Sequence, residues 1–289
     1  MAYSRSFLRD RGRLVIPTVA VMLLAFTLGG WNLSAAAAKK DKPIIAVSTS
    51  ILMAGISDLY GERVEVYVMI PPGGCPGQYD MTPPDLAKLS AADLIVLHDY
   101  QEPMQKKLES SLPEARPMLI IAEEGSLITP PGYKRLLETL AREVPQKIPG
   151  LRPITRTALE QALASVQKAE DQARTEGAEV LQGKSVVAAH FQAEFCRFWG
   201  MEIAAEIDSA ESLSAKELDQ ILKAAKAKRA LAVVGNAQNG QNQFEAMAQR
   251  LGLPLVMLSN FPEEKDGRAS YQTLLISNVR ALRDGIASH

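Results

Sequence analysis

Short strand-forming runs alternate with helix-length stretches along most of this chain, and that alternation limits its fold more than any other feature. Residues 44–47, 64–69, 94–97 and 118–122 read as strands in the first half. Residues 185–189, 203–206, 230–234 and 254–258 repeat the pattern in the second. Helical stretches separate them. One reaches Tyr60, and another starts at Thr82-Pro83-Pro84-Asp85, where Thr82 suits the cap and the prolines suit the first turn. Others cover 191–199, 214–228 (Ser214 as cap, Glu217 at the capping-box position), 241–251 and 271–286. Most of these runs lack a polar alternation, so they are buried on both faces. A mostly parallel sheet covered by helices, the α/β class, follows.

The middle of the chain breaks the rhythm. Leu159, Leu163, Val166, Ala169 and Ala173 recur at helical spacing within 154–181, and Pro145, Pro149 and Pro153 interrupt the chain before it. A helix of about 28 residues, ~40 Å long, is expected there. It would join two α/β lobes facing each other across a cleft. The expected organisation is residues 39–150 as the N-terminal lobe, 151–182 as the connecting helix and 183–289 as the C-terminal lobe.

Residues 1–38 read as a secretory signal. Arg5, Arg9, Arg11 and Arg13 precede an uncharged stretch over 14–29, and the alanine run at 35–38 offers a processing site. The apolar stretch is shorter than the ~20 residues of a spanning helix. An uncleaved membrane anchor is the alternative. Without this segment the chain carries 28 basic and 32 acidic residues, a net charge of −4. No basic patch stands out, which argues against nucleic acid. A periplasmic monomer is expected. Cys75 and Cys196 are the only cysteines, and in an oxidising compartment they would pair, stay free or ligate metal. No Gly-x-Ser-x-Gly, Walker loop, His-Glu-x-x-His or Gly-x-Gly-x-x-Gly occurs, so no enzyme is indicated.

Parallel sheets place ligands at the carboxyl ends of their strands. There the chain carries Cys75, Gln78, Tyr79 and Asp80 after the second run, His98 after the third, His190 after the fifth, Asn236 and Gln238 after the seventh, and Asn260 after the eighth. His190 is the strongest candidate, as a metal ligand or a hydrogen-bonded structural histidine. A Cys75 thiolate suits zinc or copper(I) and pairs naturally with imidazole. His98 is a ligand-binding or supporting histidine. Gln78 would bind a ligand, though it suits a metal poorly, and Asn236, Gln238 and Asn260 would bind a ligand or satisfy loop backbone groups. Tyr79 and Asp80 would contact the ligand or hold the loop shape. Glu123 and Glu124 would supply oxygen ligands or remain solvated, and the terminal His289 is set aside.

The segment PPGGCPGQYDMTPPDLAKLSAADLIVLH resembles the first-lobe signature of substrate-binding proteins of metal-importing ABC transporters of the zinc and manganese type, Pro-Pro-Gly-x-Asp-Pro-His-x-Tyr-x-x-Thr-Pro. VVAAHFQAEFCRFWGME resembles the family's strand–Ser-His–helix–Gly element, and Tyr271, Asn278, Val279 and Leu282 match its closing helix. The resemblance spans about residues 43–286. It implies two lobes that capture a transported zinc, manganese or copper ion, or a metal complex, and deliver it to a membrane permease, with no catalytic cofactor. It also implies departures. The loop histidine of the family falls on Gly77, a second ligand segment falls on 125–130, and a carboxylate position carries Asn260. Only His190 matches a family ligand. The segments CPGxxD, NAQNG and LSNFP mark a divergent branch. Two alternatives stay open: the same fold serving a chelate or small organic solute, and an extracytoplasmic adaptor or enzyme.

Overall fold

The computed structural model describes residues 42–112, 114–122, 124–208 and 213–287. The signal-like segment at 1–38, Glu123 and His289 lie outside the described residues.

In chain order the elements are β1 (Ile44–Val47), α1 (Ser50–Tyr60), β2 (Glu65–Val68), α2 (Pro83–Ala91), β3 (Leu94–His98), α3 (Glu102–Ser111), β4 (Met118–Ile121), α4 (Pro130–Lys147), α5 (Arg156–Glu176), β5 (Ser185–Ala189), α6 (His190–Phe198), β6 (Glu202–Ile207), α7 (Ala215–Ala227), β7 (Val233–Asn236), α8 (Gln241–Leu251), β8 (Leu255–Leu258), the short pair β9 (Glu264–Lys265) and β10 (Arg268–Ala269), and α9 (Tyr271–Ala287). Two four-stranded sheets result, ordered β2-β1-β3-β4 and β6-β5-β7-β8. Every pairing within them is parallel. The two lobes thus share one topology, and the long helix α5 carries the chain between them.

Side chains alternate across each strand, and both faces find an apolar partner. Val47 and Val96 of the first sheet join Val186 and Val234 of the second in one continuous cluster, with Tyr133 of α4, Val166 of α5 and Tyr271 of α9. The opposite face of the first sheet, including Ala46 and Ile95, packs on Leu89 of α2 and Leu108 of α3. That of the second, including Val187 and Val233, packs on Ile221 of α7 and Met247 of α8. The shared cluster is knitted by Tyr133 and Tyr271, whose rings stack with centroids 3.8 Å apart. Their hydroxyls donate to Asp58 at 2.8 Å and to the Ile128 carbonyl at 3.1 Å. Neither buried hydroxyl therefore goes unsatisfied.

The central helix is shorter than its pattern predicts. It has 21 residues, roughly 32 Å at 1.5 Å each. Thr155 caps its start by accepting from the Ala158 amide at 3.2 Å. Gly177, at φ 140°, ends it, and residues 178–181 form a 3-10 turn. The proline-rich stretch before it is also more ordered than expected. Pro130 and Pro131 open α4 behind the Thr129 cap, and Pro145 lies inside that helix instead of ending it. It stands third from the last residue of the helix and forgoes the bond that an N–H there would give the Ala141 carbonyl.

Gly132 marks a close approach in this region. The Thr129 hydroxyl donates to the Ser126 carbonyl at 2.7 Å, folding the 126–129 turn beneath the start of α4. A Cβ on Gly132 would overlap that same carbonyl. Gly132→Ala is expected to lower unfolding free energy by ~1–2 kcal/mol, because backbone overpacking outweighs the ~1 kcal/mol helix preference for Ala. Denaturant midpoints of the two proteins check this; an unchanged or higher midpoint would contradict it.

Candidate functional site

In each sheet the chain steps to one side of the first strand and then to the other. A crevice opens between β1 and β3, and another between β5 and β7, at the carboxyl ends. Thr49 follows β1 and His98 ends β3, and the Thr49 hydroxyl bridges to His98 Nε2 at 2.8 Å across the first crevice. His190 follows β5 and Asn236 ends β7. A cavity of about 810 Å³ joins the two crevices. Cys75, Gln78, His98, His190, Asn236, Gln238 and Asn260 all line it, so seven of the nine strand-end residues singled out from sequence converge.

Tyr79 does not line the cavity. Its hydroxyl donates to Asp85 at 2.7 Å, and the Tyr67 hydroxyl donates to the same carboxylate at 2.8 Å. The Thr82 amide and hydroxyl add bonds of 2.8 and 2.7 Å. Asp85 is thus the anchor of the loop that carries Cys75. Desolvation pushes its carboxyl up, but the four donors outweigh that and hold it well below the ordinary range. Asp80 faces away, paired with Lys107.

The amide side chains are tied to one another. Gln238 Nε2 donates to the Pro72 carbonyl at 2.8 Å and to Ser259 Oγ at 3.0 Å, while its Oε1 accepts from the Asn260 amide at 3.0 Å. Asn260 Oδ1 accepts from Gln192 Nε2 at 2.7 Å. Asn236 Oδ1 accepts from the Gln238 amide at 3.0 Å. Asn236 and Gln238 thus bond loop backbone groups, whereas the Asn260 side chain bonds to that of Gln192. His98 is only 1% exposed and stacks on Tyr100 with centroids 5.0 Å apart.

His190 is exposed at the start of α6. Its Nδ1 lies 3.1 Å from Glu206 and 3.5 Å from Asp208. Arg197 pairs with the other oxygen of Glu206. The hydrogen bond from Arg197 is the main reason the Glu206 carboxyl sits below its ordinary range, with His190 assisting. Glu194 accepts from the Ser126 amide at 2.8 Å and also lines the cavity. Sequence reading did not single out Glu194, Arg197 or Glu206. Glu206 stood at the end of a recognised strand, and extending the strand-end criterion to carboxylates would have found it.

Both thiols are free. Cys75 faces the cavity, while Cys196 is fully buried on the inner side of α6, where burial pushes its thiol up to about 12. A Cys75–Cys196 bond is therefore not formed. Glu124 offers its backbone carbonyl to Arg135. Among the described residues, no three His, Cys, Asp or Glu side chains gather as a metal-holding group.

The model of the family described as zinc-uptake complex component A, periplasmic (ZnuA), matches residues 45–285. A crystal structure of ZnuA superposes with a TM-score of 0.66 at 22% identity, covering 85% of this chain and 99% of that one. The periplasmic zinc-binding protein TroA from Treponema pallidum gives 0.66 at 15% identity, covering 85% and 99%. The binding protein FpvC from Pseudomonas aeruginosa, in complex with Mn2+, gives 0.67 at 15%, covering 86% and 99%. At these identities the likeness to solved structures is one of fold. A comparison with curated proteins finds no match.

Asp85 generates a pH prediction. Its folded pKa is depressed, so its contribution is complete above the unfolded value of about 4 and is lost as pH falls toward the folded value. Asp85→Asn is expected to lower the melting temperature by several degrees at pH 7. The gap should narrow steadily below about pH 4. Thermal melts across that range test it, and a gap independent of pH would refute the anchor.

Proposed function

The chain belongs to the family of the periplasmic component A of zinc uptake, and from that premise we propose that it captures a metal ion or metal complex between its lobes and hands it to the membrane permease of an ABC importer. Family members are periplasmic binding proteins, not enzymes. In this reading the chain is exported through its cleaved N-terminal signal and acts as a monomer. Lobes 39–150 and 183–289, on either side of the connecting segment 151–182, hold the cargo between them.

The observation that carries the proposal is that Cys75 and His190 line one cavity from opposite lobes. A thiolate and an imidazole suit zinc or copper(I) better than manganese. These two residues are assigned as the metal ligands. His98, Gln78, Asn236, Gln238 and Asn260 shape the surrounding wall. Tyr79 acts through Asp85, keeping the Cys75 loop in place.

The cavity itself favours cargo that arrives with ligands of its own. About 810 Å³ is the size of a site for a small organic molecule, not for a bare ion. Two protein donors leave a tetrahedral zinc half satisfied. Tyr100 and Phe191, both exposed at this cavity, offer apolar surface to a chelator that fills the remaining positions.

Loss of an outer partner alone costs about 10–100-fold in metal affinity, so loss of both ligands should cost more than ~100-fold. Cys75→Ala/His190→Ala is expected to abolish stoichiometric zinc retention. Elemental analysis and titration calorimetry on the folded variant test this. Unaltered zinc stoichiometry and affinity would remove both assignments.

A further inference from the structure

We propose that Gln238 is a positioning residue that latches the Cys75 loop to the opposite lobe and so sets the distance between Cys75 and His190. The inference rests on the metal-capture reading for its function, though the latch itself is geometric. Gln238 is 6% exposed and uses both ends of its amide. Its Nε2 reaches across the cleft to the Pro72 carbonyl at 2.8 Å, three residues before Cys75. Its Oε1 holds the Asn260 amide at 3.0 Å. Asn260 Oδ1 in turn takes the Gln192 Nε2 proton at 2.7 Å, and Gln192 sits two residues after His190 on α6. One continuous relay, Gln192 to Asn260 to Gln238 to Pro72, therefore connects the segments that carry the two assigned ligands. It also joins NAQNG and LSNFP to the Pro71-Pro72 stretch that leads into CPGxxD, three segments far apart in sequence.

The loop is tied at both ends. Beyond Cys75, Tyr79 bonds to Asp85, which collects four donors of its own lobe. Those bonds are assisted by the carboxylate charge. The tie at Pro72 is a single neutral amide–carbonyl bond to the other lobe. The neutral tie is the weaker of the two, so it yields first. Residues 73–78 then swing about the Asp85 anchor, moving Cys75 away from His190. Release of the latch is release of one ligand.

Gln238→Glu separates this role from general damage. The carboxylate still accepts from the Asn260 amide, but it has no proton to give the Pro72 carbonyl or Ser259 Oγ. Gln238→Asn, one methylene shorter, is the second variant should the first fail to fold. Two measurements apply to each folded variant. The first is the rate of zinc loss to a competing chromophoric chelator. The second is the alkylation rate of the Cys75 thiol in metal-free protein, with buried Cys196 as the internal reference. Both rates are expected to rise roughly tenfold, the effect of losing the one hydrogen bond that crosses the cleft. Faster zinc loss with unaltered alkylation would mean that Gln238 touches the cargo directly, and would overturn the latch. Unaltered rates in both would do the same. If the unaltered chain retains no zinc, the metal-capture reading fails, and the alkylation rates alone decide the latch.

Discussion

A parallel strand buried in an α/β fold has no solvent face, and this requirement organises the molecule. Val47 and Val96 must be covered on one side of the first sheet, and Ala46 and Ile95 on the other. Helices supply both covers because parallel strands need long crossovers, and helices are the compact way to make them. The carboxyl ends of the strands are then where loops gather. In the second sheet the same order repeats, and the inner cluster is shared between the lobes through Tyr133 and Tyr271. A cleft between two such edges follows from the topology before any ligand is considered.

That logic explains what was legible in the sequence. The strand runs were readable because uninterrupted apolar residues have few other uses. Cys75, His98, His190, Asn236 and Asn260 were found by adjacency to strand ends, and all line the cavity. Tyr79 failed the same criterion because its hydroxyl is drawn to Asp85, a contact that periodicity does not encode. Helix α4 was hidden by its prolines: Pro130 and Pro131 sit at its first turn, where a helix tolerates them, and Pro145 lies inside it at the cost of one backbone bond. The overestimate of α5 came from an apolar pattern that continues past Gly177 into a 3-10 turn. Arg197 and Glu206 escaped notice because their pairing joins a helix to a neighbouring strand.

The site combines few strong donors with many neutral ones. Cys75 and His190 are free to face a cargo, whereas Gln238, Asn260 and Asn236 spend their hydrogen bonds on each other and on loop backbone. His190 also has charged neighbours. Glu206 takes Arg197 on one oxygen and His190 on the other, which balances charge beside the exposed ring. On the metal-capture reading, a metal arriving at His190 meets Glu206 already paired with Arg197, with the Asp208 carboxylate 3.5 Å from the same imidazole nitrogen.

The amide at position 260 alters the electrostatics of closure. The family resemblance puts a carboxylate there, and a carboxylate held in a partly buried network needs a cation to balance it. Asn260 is neutral and is satisfied by Gln192 and Gln238. The relay can therefore span the cleft with no ion present. On the metal-capture reading, closure does not depend on charge neutralisation by cargo, so less ordering entropy is lost on binding. On the same reading, the selectivity that a full set of ionic ligands would supply falls to the shape of the cavity and to Cys75 and His190.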